Sequence, residues 1–243
     1  MPSPKQTRHL DLPPDSTGYR TKTEWAYIQL RRWIQSGELE AEQRLDQQQL
    51  ATRLGVSRVP LRQALVRLQA DGLVVARHHF SATVAPLSFE HAEDIYASRG
   101  ALEPMLTEAA VQRLDNGTIR DLDALLEEQQ EALAAGLRPR FLELDRSFHN
   151  RLYQESGYHT SVELVQRLRD LSDRYVAAFQ GDAERSQSTL LEHHDIVRAS
   201  ASRDAAKAAR LVRDHVRRGI DFLRQMQRSA EQSQSDPSAG PSG

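Results

Sequence analysis

Four residues in the second half of the chain carry a chemistry that a core seldom needs. Asp145 and His149 stand four apart in Phe141–Glu155. At about 100° per residue, the apolar stripe of that segment is Phe141, Leu142, Leu144, Phe148, Leu152 and Tyr153, and both polar residues fall inside it. A carboxylate taken from water without a partner is costly, so something must meet Asp145. His193 lies among Leu190, Ile196 and Val197 on its own helical wheel, with His194 further round toward the edge. His215 sits with Leu211, Val212, Gly219 and Phe222. Three imidazoles and one carboxylate directed inward from three helices make a suitable set for a divalent metal with positions open to water or an anion. Imidazole suits Zn, Ni or Cu, and the carboxylate also tolerates Mn. Each residue has an ordinary alternative. An inward histidine is often a hydrogen-bonded core residue, and Asp145 with His149 can be a simple ion pair.

Arg99 is a further inward charge, on the face of Ile95, Leu102 and Leu106. A buried guanidinium needs a carboxylate or phosphate. Glu103, four residues on, would make it structural. An acidic effector lying between Arg99 and the metal is the other candidate partner.

These residues need helices to hold them. From Ser88 to about Arg228, Leu, Ala and charged residues recur at helical spacing with no strand signal. Breaks are expected near Asn116-Gly117, Gly136, Gly157 and Gly181, giving six or seven helices in an antiparallel bundle. The first part reads differently. Trp25, Ile28, Leu30, Trp33 and Ile34 form one apolar face that Gly37 ends. Asp46 can cap a second helix ending at Gly55, and Ser57 a third ending near Gly72, with Pro60 in its first turn. Leu73–Ala76 and Ala82–Ala85 read as a hairpin. The predicted fold is thus mainly α, a winged helix-turn-helix followed by an all-α bundle. Residues 1–20 are expected to be a flexible arm and residues 229–243 a disordered tail.

In a helix-turn-helix the N-terminal end of the second helix enters the major groove. Ser57 and the free N–H groups beside it can hold a phosphate. Arg58 and Arg62 share a face and can reach bases or phosphates together. The hairpin tip at Arg77, His78 and His79 would be a wing. Charge agrees: residues 21–86 hold nine Lys/Arg against six Asp/Glu, and residues 87–243 twenty against twenty-six.

The run Gly37-Glu38-Leu39, Arg44-Leu45, Leu50-Ala51, Gly55 to Leu65, Leu68 and Asp71 to Val74 resembles the reader head of the GntR family of bacterial regulators, over roughly residues 23–86. The resemblance implies DNA contacts at Ser57, Arg58 and Arg62, at Arg53 more weakly, and at wing residues His78 and His79. Ser81 stands where the family usually has a wing-turn glycine. Asp145 to His149, Glu192 to Val197 and Arg213 to Val216 resemble the FCD effector domain of the FadR-type branch, over roughly residues 88–228. That resemblance implies a metal on Asp145, His149, His193 and His215, with Arg99 facing the ligand pocket. Gly157-Tyr158 departs from the family, which often places an asparagine after that glycine.

The chain has no cysteine, and no apolar run approaches the roughly 18–20 residues that span a bilayer. A cytoplasmic location is expected. The expected protein is a homodimeric regulator and not an enzyme. It binds a palindromic operator, and a small carboxylate effector relieves repression through a bound Zn, Ni or Mn ion. A metal-free pocket for an acyl or aromatic acid is the alternative within this class. A metal-dependent hydrolase is the alternative outside it.

Overall fold

A computed structural model describes residues 21–77, 81–178 and 183–235. The chain divides between Pro86 and Leu87 into two compact units.

The first unit holds α1 (Lys22–Gln35), β1 (Arg44–Leu45), α2 (Gln47–Leu54), α3 (Arg58–Ala70), β2 (Val74–Arg77) and β3 (Ser81–Val84). Asp46 caps α2 by accepting from the N–H groups of Gln48 and Gln49. Gly55 closes that helix in the left-handed region at φ 66°, where a Cβ would strain the turn. Ser57 occupies the N-cap position of α3, but its side chain makes no capping bond. Leu30, Leu61, Leu68 and Leu73 are fully buried and fix the helices to one another and to the sheet. Trp25 adds a polar tie, its Nε1 donating to the Leu54 carbonyl at 3.2 Å.

The three strands are antiparallel in the order β1-β3-β2, with Val75 and Arg44 both paired to Thr83. The sequence reading omitted β1, a two-residue strand too short for any alternation to register. Ser81 opens β3, and the hairpin tip with His78 and His79 lies outside the described residues.

The described elements of the second unit are all helices: α4 (Phe89–Val111), α5 (Asn116–Ala134), α6 (Arg138–Gln154), α7 (His159–Ala178), α8 (Ala183–Ala201) and α9 (Ala205–Ser235). Asp115 caps α5 through the Thr118 N–H at 2.6 Å, so Gly117 falls in the first turn. Gly136 and Gly157, both at positive φ, lie in the links where breaks are expected. Gly181 is outside the described residues, as is residues 1–20. Two expectations change. The α8–α9 break at residues 202–204 was not foreseen, because Arg203 and not glycine takes the positive φ of 59° there. Helix α9 also continues to Ser235, so the expected tail loses residues 229–235 to helix.

The main core joins all six helices through Leu106, Leu122, Phe148, Val165, Ile196 and Val212. A second cluster, with Ile95, Tyr96, Tyr175, Val216 and Leu223, joins α4, α7 and α9. No described helix is long and apolar enough to cross a membrane.

Both tryptophans of the chain are in α1, so their fluorescence reports the first unit alone. Asp46→Ala is expected to lower its stability by about 1 kcal/mol through loss of the cap. Urea unfolding followed by tryptophan emission measures this, and an unchanged midpoint would show that the cap contributes nothing.

Candidate functional site

Helix α6 carries Asp145 and His149 one turn apart, α8 carries His193, and α9 carries His215. The structure brings the three imidazoles together, with one nitrogen of each lying within 4.8 Å of the others. His149 and His193 are fully buried and His215 is 7% exposed. The Phe148 ring stacks on His193 with centroids 4.4 Å apart.

Each ring is held from behind by an acceptor. His193 Nδ1 meets Gln129 Oε1 at 3.0 Å, and His215 Nδ1 meets Glu192 Oε2 at 2.7 Å. His149 Nδ1 meets the Tyr153 hydroxyl at 3.0 Å. That hydroxyl already donates to Glu103 Oε2 at 2.7 Å, so its oxygen is left to accept. Burial and the neighbouring Glu103 charge push the Tyr153 pKa well above the ordinary phenol value, which keeps this proton in place. All three rings therefore carry a hydrogen on Nδ1, which leaves Nε2 of each as the atom available to a ligand.

Burial, reinforced by the Arg169 charge for His149 and by the other imidazoles, holds the pKa of His149 and of His193 well below the usual value. These two rings are neutral. Their Nε2 atoms have no hydrogen-bond partner among the described residues. Asp145 Oδ1 faces them, 3.5 Å from His193 Nε2 and 3.9 Å from His149 Nε2. Bare imidazole nitrogens converging beside a carboxylate oxygen fit a divalent cation, and hydrogen bonds behind each ring are the usual means of fixing such ligands.

Asp145 departs from the expectation of a core carboxylate. It is 16% exposed, at the wall of a cavity, and Arg169 Nη2 donates to its Oδ2 at 2.6 Å. Arg169 on α7 was missed because it is one of several arginines on a polar-looking helix. Arg99 meets Glu103 Oε1 through Nε at 2.6 Å and Ser172 Oγ through Nη1 at 2.8 Å. That is its structural pairing, although the residue also lines the cavity. Burial opposes the charge of Glu103, but Arg99 and Arg169 outweigh it and hold the carboxyl below its ordinary pKa. The cavity has a volume of about 720 Å³ including its mouth. His215, Asp145 and Arg169 stand on its wall, with Phe141, Val176 and Phe222 supplying apolar surface.

In the first unit, Ser57, Arg58 and Arg62 are exposed at the start of α3. Arg58 is oriented by Gln48 of α2, whose Oε1 accepts from its Nε at 3.1 Å and from its Nη2. Val59, unremarked in the sequence, is 66% exposed in the same turn. Arg53 is turned elsewhere: it pairs with Glu38 and lies over the Trp33 ring, 3.8 Å from its centroid.

A regulator's two parts are recognisable here, a winged helix-turn-helix and a helical domain with a histidine cluster beside a cavity. Comparison with known proteins agrees. Residues 22–84 match the model of bacterial regulatory proteins of the gntR family, and residues 94–218 match the FCD domain. The Nta operon transcriptional regulator of Aminobacter aminovorans is 30% identical over 190 residues, covering 77% of this chain and 88% of that protein. The HTH-type transcriptional repressor GlaR of Escherichia coli (strain K12) is 26% identical over 206 residues, covering 80% and 94%. The E. coli McbR/YncC structure shares the fold with a TM-score of 0.80 at 22% identity, covering 86% of this chain and 100% of that one. The chain belongs to the GntR family of transcriptional regulators and carries an FCD domain. These relatives are regulators and not enzymes, which sets the hydrolase alternative aside.

Glu103 is the shared anion behind Arg99, Arg169 and Tyr153. Glu103→Leu strands two buried cations and is expected to destabilise the second unit by about 3–5 kcal/mol. Urea unfolding followed by far-UV circular dichroism measures this. A loss below about 1 kcal/mol would mean that the network contributes little.

Proposed function

We propose that this regulator is a homodimeric repressor whose FCD domain binds a small carboxylate effector at a divalent metal. The observation that carries the proposal is the convergence of three imidazoles, each fixed from behind at Nδ1, with the unpartnered Nε2 atoms of His149 and His193 among them. His149, His193, His215 and Asp145 would hold the ion, with zinc, nickel and manganese as candidates. When bound, the metal supplies a Lewis-acidic anchor for a carboxylate oxygen. The chain's own residues do the rest. Arg169 orients Asp145, Glu103 and Tyr153 orient His149, and the apolar wall of Phe141, Val176 and Phe222 excludes water.

DNA would be read by Ser57, Arg58 and Arg62 from the exposed start of α3. Val59, exposed in the same turn, would touch a thymine methyl. Arg53, paired with Glu38 and Trp33, serves the packing of the head and not base contact. His78 and His79 keep their proposed wing role from the sequence. Two heads in a dimer imply a palindromic operator. Repression follows the printed role of the relative GlaR, a transcriptional repressor; its relief by effector requires that the effector bind the two arrangements of the dimer unequally. A cytoplasmic location belongs with this reading.

Purified full-length protein is expected to retain about one divalent ion per chain in elemental analysis, and His193→Ala to lose it. No ion after incubation with zinc, nickel or manganese would favour the metal-free acid pocket.

In solution the mass should be twice 27.5 kDa. Gel shift should detect binding to a palindrome in DNA upstream of the gene. Arg62→Ala is expected to weaken it by about 10–100-fold, or roughly 1–3 kcal/mol. A monomeric mass, or no shift at low salt, would overturn the operator proposal.

A further inference from the structure

The cavity is lined by four arginines, and their partners are unequal. Arg99 is met by Glu103. Arg169 is met by Asp145 at 2.6 Å. Arg185 is met by Glu192 at 2.9 Å, while Asp173 on the same wall faces Arg146 at 3.0 Å. Arg138 alone among these four has no carboxylate partner among the described residues. Its Nη2 donates to the Val176 carbonyl at 3.1 Å, and the remainder of its fork is uncommitted. The side chain is half-buried. Burial lowers its pKa, with no anion acting against that effect. A guanidinium drawn partly out of water without a counter-charge is unfavourable until an oxyanion meets it.

Arg138, Phe141, Leu142 and Asp145 line the cavity from one helix, α6. Arg138 precedes Asp145 by seven positions, which at 1.5 Å per residue is about 10 Å along the axis. The apolar side chains of Phe141 and Leu142 occupy the interval.

From this arrangement we infer that Arg138 is a specificity-determining residue that receives a second carboxylate of the effector. The effector class is then a dicarboxylate with an apolar spacer. One carboxylate lies at the histidine cluster and the other on the Arg138 fork. The inference rests on the effector pocket proposed above, and the two can fail separately.

The test is calorimetric titration of metal-loaded, full-length protein with matched acids. Succinate, glutarate, adipate, pimelate and terephthalate are compared with butyrate, valerate, hexanoate, heptanoate and benzoate. At least one diacid is expected to bind about tenfold or more tighter than its monoacid. Arg138→Gln should bring that pair to within about twofold, leaving monoacid affinity unchanged, while Arg138→Lys keeps the preference. Monoacids binding as tightly as their diacids, or a preference that survives Arg138→Gln, would overturn the role of Arg138 and leave the pocket standing. No binding of any acid would overturn both.

Discussion

An imidazole sealed from water must satisfy its nitrogens from within the protein, and it cannot keep a proton without a counter-charge. Two such rings, His149 and His193, meet His215 between α6, α8 and α9. What fixes their chemistry is the acceptor behind each one. Gln129 takes the Nδ1 hydrogen of His193, Glu192 that of His215, and Tyr153 that of His149. Tyr153 can accept only because its own hydrogen is given to Glu103. Glu103 stays ionised because Arg99 and Arg169 flank it, and Arg169 also draws Asp145 to the rim of the cluster. One buried carboxylate thus sets the tautomer of His149 and, through Arg169, the position of Asp145.

The same charges shape the cavity. Paired arginines make a wall that is polar yet nearly neutral, and Arg138 adds the one positive site not met by a carboxylate among the lining arginines. In the first unit the logic is inverted. Arg58 and Arg62 stay at the surface, where a phosphate or a base edge can meet them, while Arg53 is withdrawn onto Trp33. One residue type therefore serves packing, pocket and surface, according to what carboxylate or ring stands beside it.

Much of this could be read from residue spacing. Asp145, His149, His193 and His215 each lie on an apolar helical face, and such polar exceptions stand out against a regular stripe. The caps at Asp46 and Gly55 follow from residue type. The partners were hidden. Gln129 is 64 positions from His193, and Glu103 is 50 from Tyr153, distances over which helical periodicity carries no information. Tyr153 counted as one more apolar residue, and its hydroxyl proved to be the link to His149. Glu103 was visible only as a neighbour of Arg99, the pairing the structure contains. Arg138 looked like any surface residue at a helix start. The break at Arg203 was hidden because a non-glycine residue adopts the left-handed conformation. The wing histidines lie outside the described residues.

The imidazole tautomers are open to direct observation. Long-range nitrogen–proton correlation spectra of chelator-treated, nitrogen-labelled protein distinguish Nδ1–H from Nε2–H and from the protonated ring. The expected result is a neutral Nδ1–H form for His149 and His193, with Nε2 resonances of the cluster shifting strongly when zinc is added. Nε2–H or protonated rings at His149 and His193, or spectra unmoved by zinc, would contradict a ligand set held ready for a metal.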